Sequence, residues 1–214
     1  MIHYDLSVPG WTNISKLTLF GTLSQWASET SAHPMILEIG SWAGRSLVAW
    51  AANCPNGTVV SVDSSRGYTL TELKERNLKV FQWMKGDPDA WNMWTSLIED
   101  TRKATTAIYP NVEHRLQTSD EFFAENNGAR TFDIIFVDGN HDEPYVYRDV
   151  TNGFRVLRPG GLVMGDDYTW DGVKAAVDRY AAENNMSVWI HPQIDDLWVL
   201  VPPKEHTIEW WFQL

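Results

Sequence analysis

The sequence predicts an α/β domain with a mostly parallel, seven-stranded sheet and helices on both faces. Short apolar runs alternate with segments of helical spacing, the signature of β/α units whose parallel strands need crossover helices. Thr131–Val137 (T-F-D-I-I-F-V) is too apolar for a sheet edge and belongs in the middle. The last two strands flank only a short stretch around Asp195 and Asp196, which makes them an antiparallel hairpin.

The elements follow in order. Residues 15–29 put Leu17, Phe20, Leu23 and Trp26 on one helical face, with Ser15 as the expected cap. Met35–Ile39 is a strand, Arg45–Asn53 a helix and Thr58–Val62 a strand running into Asp63. Residues 89–107 are helical, and Val112–Gln117 alternates like a strand. Tyr145–Val156 is a helix, Leu157–Gly161 a Pro-Gly-Gly turn and Leu162–Met164 the fifth strand. Asp171–Asn184 is the last helix, before strands Ser187–Ile190 and Leu197–Val201. The chain reads as a single domain over 1–214, opening with a helical segment at 1–33. Residues 67–90 exceed what one crossover needs. With Tyr68, Phe81, Trp83 and Met84, then Trp91 and Trp94, they form either core or an aromatic lid over an acceptor.

Composition narrows the function. A net charge of −11 argues against nucleic acid and anionic membranes as partners, since both require clustered Lys and Arg. No apolar run approaches a membrane span, and the N-terminus lacks a signal-peptide pattern, so a cytoplasmic location is expected. The one cysteine, Cys54, fits a reducing compartment and carries no chemistry of its own. The apolar C-terminal I-E-W-W-F-Q-L either packs back on the domain or offers a homodimer surface.

In such sheets ligands bind beyond the carboxyl ends of the strands, near the point where strand order reverses. The first strand ends in Gly40-Ser41-Trp42-Ala43-Gly44, with Glu38 inside it. Glycines there let the backbone approach a ligand closely, and the next helix presents free N–H groups. The loop has G-x-x-x-G, not the G-x-G-x-x-G that cradles a pyrophosphate. Asp63 at the second strand tip can accept hydrogen bonds from both ribose hydroxyls, or cap a helix. Glu38 and Asp63 together suit a nucleoside attached to a charged, phosphate-free group.

The pieces E-I-G-S-W-A-G-R-S, V-V-S-V-D, F-D-I-I-F-V-D-G and L-R-P-G-G-L-V follow the order found in class I S-adenosylmethionine-dependent methyltransferases. The chain resembles that family over roughly residues 34–170. The resemblance implies a Rossmann-like fold whose loop residues Gly40, Ser41, Trp42 and Gly44 line the methionine part of the donor. It implies that Asp63, with Ser64 beside it, holds the ribose, and that Ser119 lies near the adenine. It also sets Glu38 beneath the loop, ordering it or meeting the donor's ammonium through water.

The remaining tips are acidic. Asp138 follows the fourth strand in V-D-G-N-H-D, and Asp166 and Asp167 follow the fifth in M-G-D-D-Y. Neighbouring strands sit about 4.8 Å apart, so these carboxylates can share one hard cation; alternatively, Asp167 caps the next helix. The arrangement is similar to the metal-dependent O-methyltransferases, including catechol O-methyltransferase and enzymes acting on antibiotic sugars. That resemblance implies Asp138, Asp166 and Asp167 as ligands for Mg2+, and puts Asp138 against the donor and in the catalytic group. Some relatives have Asp-Gly-Asp where this chain has Asp138-Gly139-Asn140. Asn140 cannot act as a base; His141 can, since imidazole titrates near neutrality. The expected activity is O-methylation of a hydroxylated small molecule. The alternatives are an NAD-dependent oxidoreductase or epimerase, disfavoured by the missing third glycine, and a non-catalytic S-adenosylmethionine-binding domain, supported by Asn140.

Overall fold

A computed structural model describes residues 1–65, 88–194 and 196–203. Most of the insertion expected at 67–90, up to residue 87, the C-terminal aromatic tail and Asp195 lie outside the described residues, as do the side chains of Trp91 and Trp94.

Six helices and seven strands are described: α1 (Ile14–Thr30), β1 (Met35–Ile39), α2 (Arg45–Ala52), β2 (Thr58–Val62), α3 (Pro88–Ile108), β3 (Val112–Arg115), α4 (Ser119–Asn126), β4 (Phe132–Val137), α5 (Glu143–Val156), β5 (Leu157–Gly165), α6 (Asp171–Glu183), β6 (Ser187–Ile190) and β7 (Trp198–Val201). They form one sheet in the order β3-β2-β1-β4-β5-β7-β6. β1 to β5 pair in parallel, and β7 runs antiparallel to both β5 and β6. Strand order therefore reverses between β1 and β4. There the crossovers leave the sheet in opposite directions and the strand tips stay uncovered.

Alternation along the strands splits the core in two. Ile36, Val59, Ile134, Phe136 and Met164 pack with α1 and α2. Leu37, Val60, Ile135, Val137 and Val163 pack with α4, α5 and α6. Each residue of β4 is buried, its apolar residues as a central strand requires and Asp133 with them. On the first face Phe20 stacks on Trp50 at 4.4 Å, and Phe136 meets Phe20 edge-on at 4.7 Å.

Three local expectations change. Asn13, not Ser15, caps α1: its extended backbone (φ −82°, ψ 169°) lets its side chain accept from the Lys16 N–H at 2.9 Å. β5 begins at Leu157 because Leu157 pairs with Phe132 ahead of the Pro-Gly-Gly stretch; a register shift follows before Ile134 meets Leu162. Helix α4 was not expected from the sequence, although Thr118 and Glu121 form a capping box that marks its start. Among the described residues no helix is long and apolar enough to cross a membrane.

Candidate active site at the strand tips

The loop after β1 is built on backbone that only certain residues tolerate. Gly40 has φ +84°, and a Cβ there would lie 2.1 Å from the Asp138 carbonyl oxygen. Glycine is therefore what lets the tips of β1 and β4 close together. Gly44 (φ +92°) turns the chain into α2. Between them Trp42 is also left-handed, at φ +45°. Asp63 fixes this loop: its Oδ2 accepts the Ser41 N–H at 3.0 Å and the Trp42 N–H at 2.8 Å. Its Oδ1 accepts the Ser65 N–H at 2.7 Å, so Ser64 sits inside a tight turn at the tip of β2.

Glu38 lies beneath the loop and is 0% exposed. Trp50 Nε1 approaches its Oε1 at 3.4 Å, while its Oε2 has no hydrogen-bond partner. Burial raises its pKa from 4.5 to about 8; Ser46 and Trp50 oppose the rise, and the charges of Asp138 and Asp63 add to it. Nearby, Ser41 Oγ, Ser61 Oγ and the half-buried His114 Nδ1 are linked by contacts of 2.8 and 3.1 Å. Burial, then the positive charge of Arg102, lowers the His114 pKa to about 4 and keeps the ring neutral at physiological pH.

The second cluster sits at the tips of β4 and β5. Asp138 continues the ladder, its N–H donating to the Ile39 carbonyl at 2.8 Å; the Asp166 N–H donates to the Val137 carbonyl at 3.2 Å. His141 Nε2 lies 3.1 Å from Asp167 Oδ2 and 3.6 Å from Asp138 Oδ1, and Trp170 meets the imidazole edge-on at 4.7 Å. Asp167 holds φ +58°, a strained backbone at a site of close charges. Burial, with Asp166 and Asp167 close by, raises the Asp138 pKa above the usual carboxylate value, against the opposing pull of His141. Burial likewise raises the Asp167 pKa, opposed chiefly by His141. For His141, burial disfavours the charged ring, but the combined pull of Asp138, Asp167 and Asp166 leaves its pKa above the ordinary 6.5.

Asp138, His141 and Asp167 each offer a donor atom within 4.8 Å of the others, and could together hold a metal ion. The expected trio of Asp138, Asp166 and Asp167 is not the set that converges. Lys16 Nζ, from the first turn of α1, binds both oxygens of Asp166 at 2.5 and 2.7 Å, with each side chain only 12% exposed. That ammonium already supplies Asp166 with a cation.

Of the residues expected at the site, Glu38, Gly40, Ser41, Trp42, Gly44, Asp63 and Ser64 lie on the β1 and β2 tips, and Asp138, His141, Asp166 and Asp167 on the adjoining β4 and β5 tips. Ser119 opens α4 after β3; burial raises the pKa of Asp149, a carboxyl 2% exposed, to about 7 and outweighs Ser119, which lowers it. Sequence reading missed Arg102, Lys16 and Trp170. Lys16 and Arg102 stand on helices far from the motifs in the chain, and Trp170 carries no distinguishing local pattern. A cavity of about 430 Å³ elsewhere, lined by His3, Pro55, Tyr109 and Asn111, holds no comparable cluster of acids.

The methyltransferase-domain family matches residues 37–168, more than half of the chain. No curated protein matches the sequence significantly. Among solved structures the chain resembles the O-methyltransferase NovP, with 16% identity and a TM-score of 0.61 over 89% of this chain and 80% of that one. It resembles CalS11, a calicheamicin methyltransferase, with 15% identity and a TM-score of 0.59 over 88% and 80%. It also resembles an O-methyltransferase from Bacillus cereus in complex with SAH, with 18% identity and a TM-score of 0.53 over 91% and 84%. At such identities the likeness establishes the fold. The nicotinamide reading falls away, since the family match covers β1 to the tip of β5, where a dinucleotide would have to bind. Strand order, the glycine loop above β1 and the family match agree, and the chain belongs to the class I S-adenosylmethionine-dependent methyltransferases.

Proposed function

We propose that this protein transfers the methyl group of S-adenosylmethionine to a hydroxyl of a small molecule, with His141 taking the hydroxyl proton. The observation that carries the reading is His141, with its Nε2 between Asp138 and Asp167 and its affinity for a proton raised by them. A hydroxyl must give up a proton as it attacks carbon; an imidazole backed by two carboxylates can receive it and spread the resulting charge. The O-methyltransferases among the similar structures fit the same reading.

S-adenosylmethionine supplies a methyl carbon already activated by positive sulfur. The chain's own task is alignment and proton removal. In this reading Gly40, Ser41, Trp42 and Gly44 border the methionine end. Asp63 and Ser64 face the ribose, with Asp63 using lone pairs beyond those its backbone donors occupy. Ser119 borders the adenine. Glu38, with its unpartnered Oε2, complements the donor's positive charge from below.

A divalent cation fits the same three side chains. Asp138, Asp167 and His141 would hold it, His141 then acting as a ligand in place of serving as the base, and Asp166 would join only by releasing Lys16. Two carboxylates and an imidazole suit Mg2+ less strictly than an all-oxygen set. When bound, such an ion would polarise the acceptor hydroxyl and lower its pKa.

The test is to incubate the protein with S-adenosylmethionine carrying an isotopically labelled methyl group and a panel of sugars, phenols and small hydroxy acids, with and without chelator, and to read products by mass spectrometry. Labelled O-methyl product supports the reading, and its disappearance with chelator supports the cation. Donor binding by calorimetry with no transfer to any hydroxyl would instead favour a non-catalytic binding domain.

A further inference from the structure

Arg102 is completely buried, at 0% exposure, on the face of α3 turned to the tips of β1 and β2. Arginine is rarely buried so fully unless its charge and donors are used. Here Nη1 donates to the Trp42 carbonyl at 2.8 Å and lies 3.4 Å from Asp63 Oδ2, while Nη2 donates to the Ser65 hydroxyl. Nε has no hydrogen-bond partner.

The residues it touches are conformationally unusual. Trp42 (φ +45°) and Ser65 (φ +52°) are non-glycine residues in the left-handed region, one at each strand tip. The N–H groups of the same two residues donate to Asp63. Each strained residue is thus held twice, by Asp63 through its N–H and by Arg102 through its carbonyl or hydroxyl. Strained backbone persists only where its surroundings over-determine it, and here a carboxylate and a guanidinium do so together.

We propose that Arg102 is a positioning residue for the methyl donor. Without touching the reacting atoms, it locks the Trp42 peptide and the Asp63 carboxylate in the arrangement that receives S-adenosylmethionine. The inference rests on the donor site assigned under Proposed function. A planar guanidinium can reach a carbonyl, a carboxylate and a hydroxyl in different directions at once; a lysine ammonium could keep the charge near Asp63 but not the whole fork. Anchored in α3, the clamp also joins the segment after β2 to the glycine loop after β1.

The experiment compares wild type, R102M and R102K. Donor affinity is read by calorimetry, the KM for donor and acceptor and kcat by steady-state kinetics, and folding by thermal melts. R102M is expected to weaken donor binding by about tenfold, the scale of one lost charge-assisted hydrogen bond. The donor KM should rise in step, while kcat at saturating donor and the acceptor KM stay within about threefold. R102K should recover part of the loss. A merely structural role would lower the melting temperature without this donor-specific pattern. Folded R102M that binds S-adenosylmethionine within twofold of wild type would overturn the proposal. If R102M does not fold, S65A removes one arm of the clamp and is expected to weaken donor binding by about threefold; unchanged affinity there overturns it as well. Wild-type protein that binds no S-adenosylmethionine would overturn both this inference and the donor site itself, an outcome distinct from equal binding by wild type and variant.

Discussion

Replacing Glu38 by Gln removes one titrating group from beneath the glycine loop and leaves the side chain's shape nearly intact. Glu38 is fully buried, and its pKa in the folded protein is about 8 against an ordinary 4.5. The folded state therefore holds this proton more tightly than the unfolded chain does. Below about pH 4.5 both states are protonated, and the group's full contribution to stability is present. As pH rises through about 8 that contribution is lost, because the folded protein must then bury a carboxylate. The interval from 4.5 to about 8, at about 1.4 kcal/mol per pH unit, gives a loss of about 5 kcal/mol between the two plateaus. That is an upper bound, since local relaxation and water entry reduce it. Glutamine has no such loss. Urea unfolding of wild type and E38Q, followed by tryptophan fluorescence at several pH values from 5 to 9, should give a stability difference that moves in favour of E38Q up to about pH 8 and then levels off. The other titrating groups are common to both proteins and largely cancel. A difference that stays constant across that range would refute the reasoning, because Glu38 would then be titrating as an ordinary carboxyl.

Three further outcomes follow from the same geometry. A cationic donor above Glu38 should lower its pKa, so S-adenosylmethionine binding near pH 7 should release up to about one proton; calorimetry in buffers of different ionisation heat reads this, and equal heats with wild type would refute it. H141A should lower kcat by about 10²- to 10⁴-fold with donor affinity little changed, and wild-type activity should rise with pH through a pKa above 6.5, as His141 loses its proton; an unchanged profile in the variant removes it as the base. K16M should free Asp166 and tighten Mg2+ binding measured by calorimetry, whereas D138N should weaken it; K16M without effect would mean that Lys16 does not shield Asp166 from the ion.

Much of the fold was legible because hydrophobic period reports burial directly. Met35–Ile39, Thr58–Val62 and Ser187–Ile190 stand where their apolar patterns put them. The Pro-Gly-Gly stretch misled, since local turn chemistry says nothing about the partner strand, and pairing with Phe132 extends β5 through it. The tip residues were legible because topology alone puts strand ends together. Lys16 and Arg102 were not, as each reaches the site from a helix distant in sequence, and helical spacing records which face a residue lies on rather than what it meets. The identity of Asp166's partner is a tertiary fact of that kind, and the side chains that converge are two carboxylates and an imidazole instead of three carboxylates.

The acids of the site raise a physical difficulty whose resolution bears on function. Glu38, Asp63, Asp138, Asp166 and Asp167 crowd neighbouring strand tips, and five bare carboxylates there would repel one another. Each is relieved differently. Glu38 keeps its proton through burial, Asp63 accepts three backbone N–H groups beside Arg102, Asp166 binds Lys16, and Asp138 and Asp167 flank His141. Only the first and last of these arrangements can change easily within the physiological pH range, one by losing a proton and the other by exchanging one with a ligand. Those are the two places where the proposed chemistry needs charge to move: negative charge must appear under the sulfonium donor, and a proton must leave the acceptor. The fixed pairs, Asp63 with its backbone donors and Arg102, and Asp166 with Lys16, form the frame that holds the two variable sites. On this argument D63N and D166N should act mainly on donor affinity and stability, and substitutions at Glu38 and His141 should alter the pH dependence of binding and turnover; the reverse pattern would show that frame and chemistry had been assigned the wrong way round.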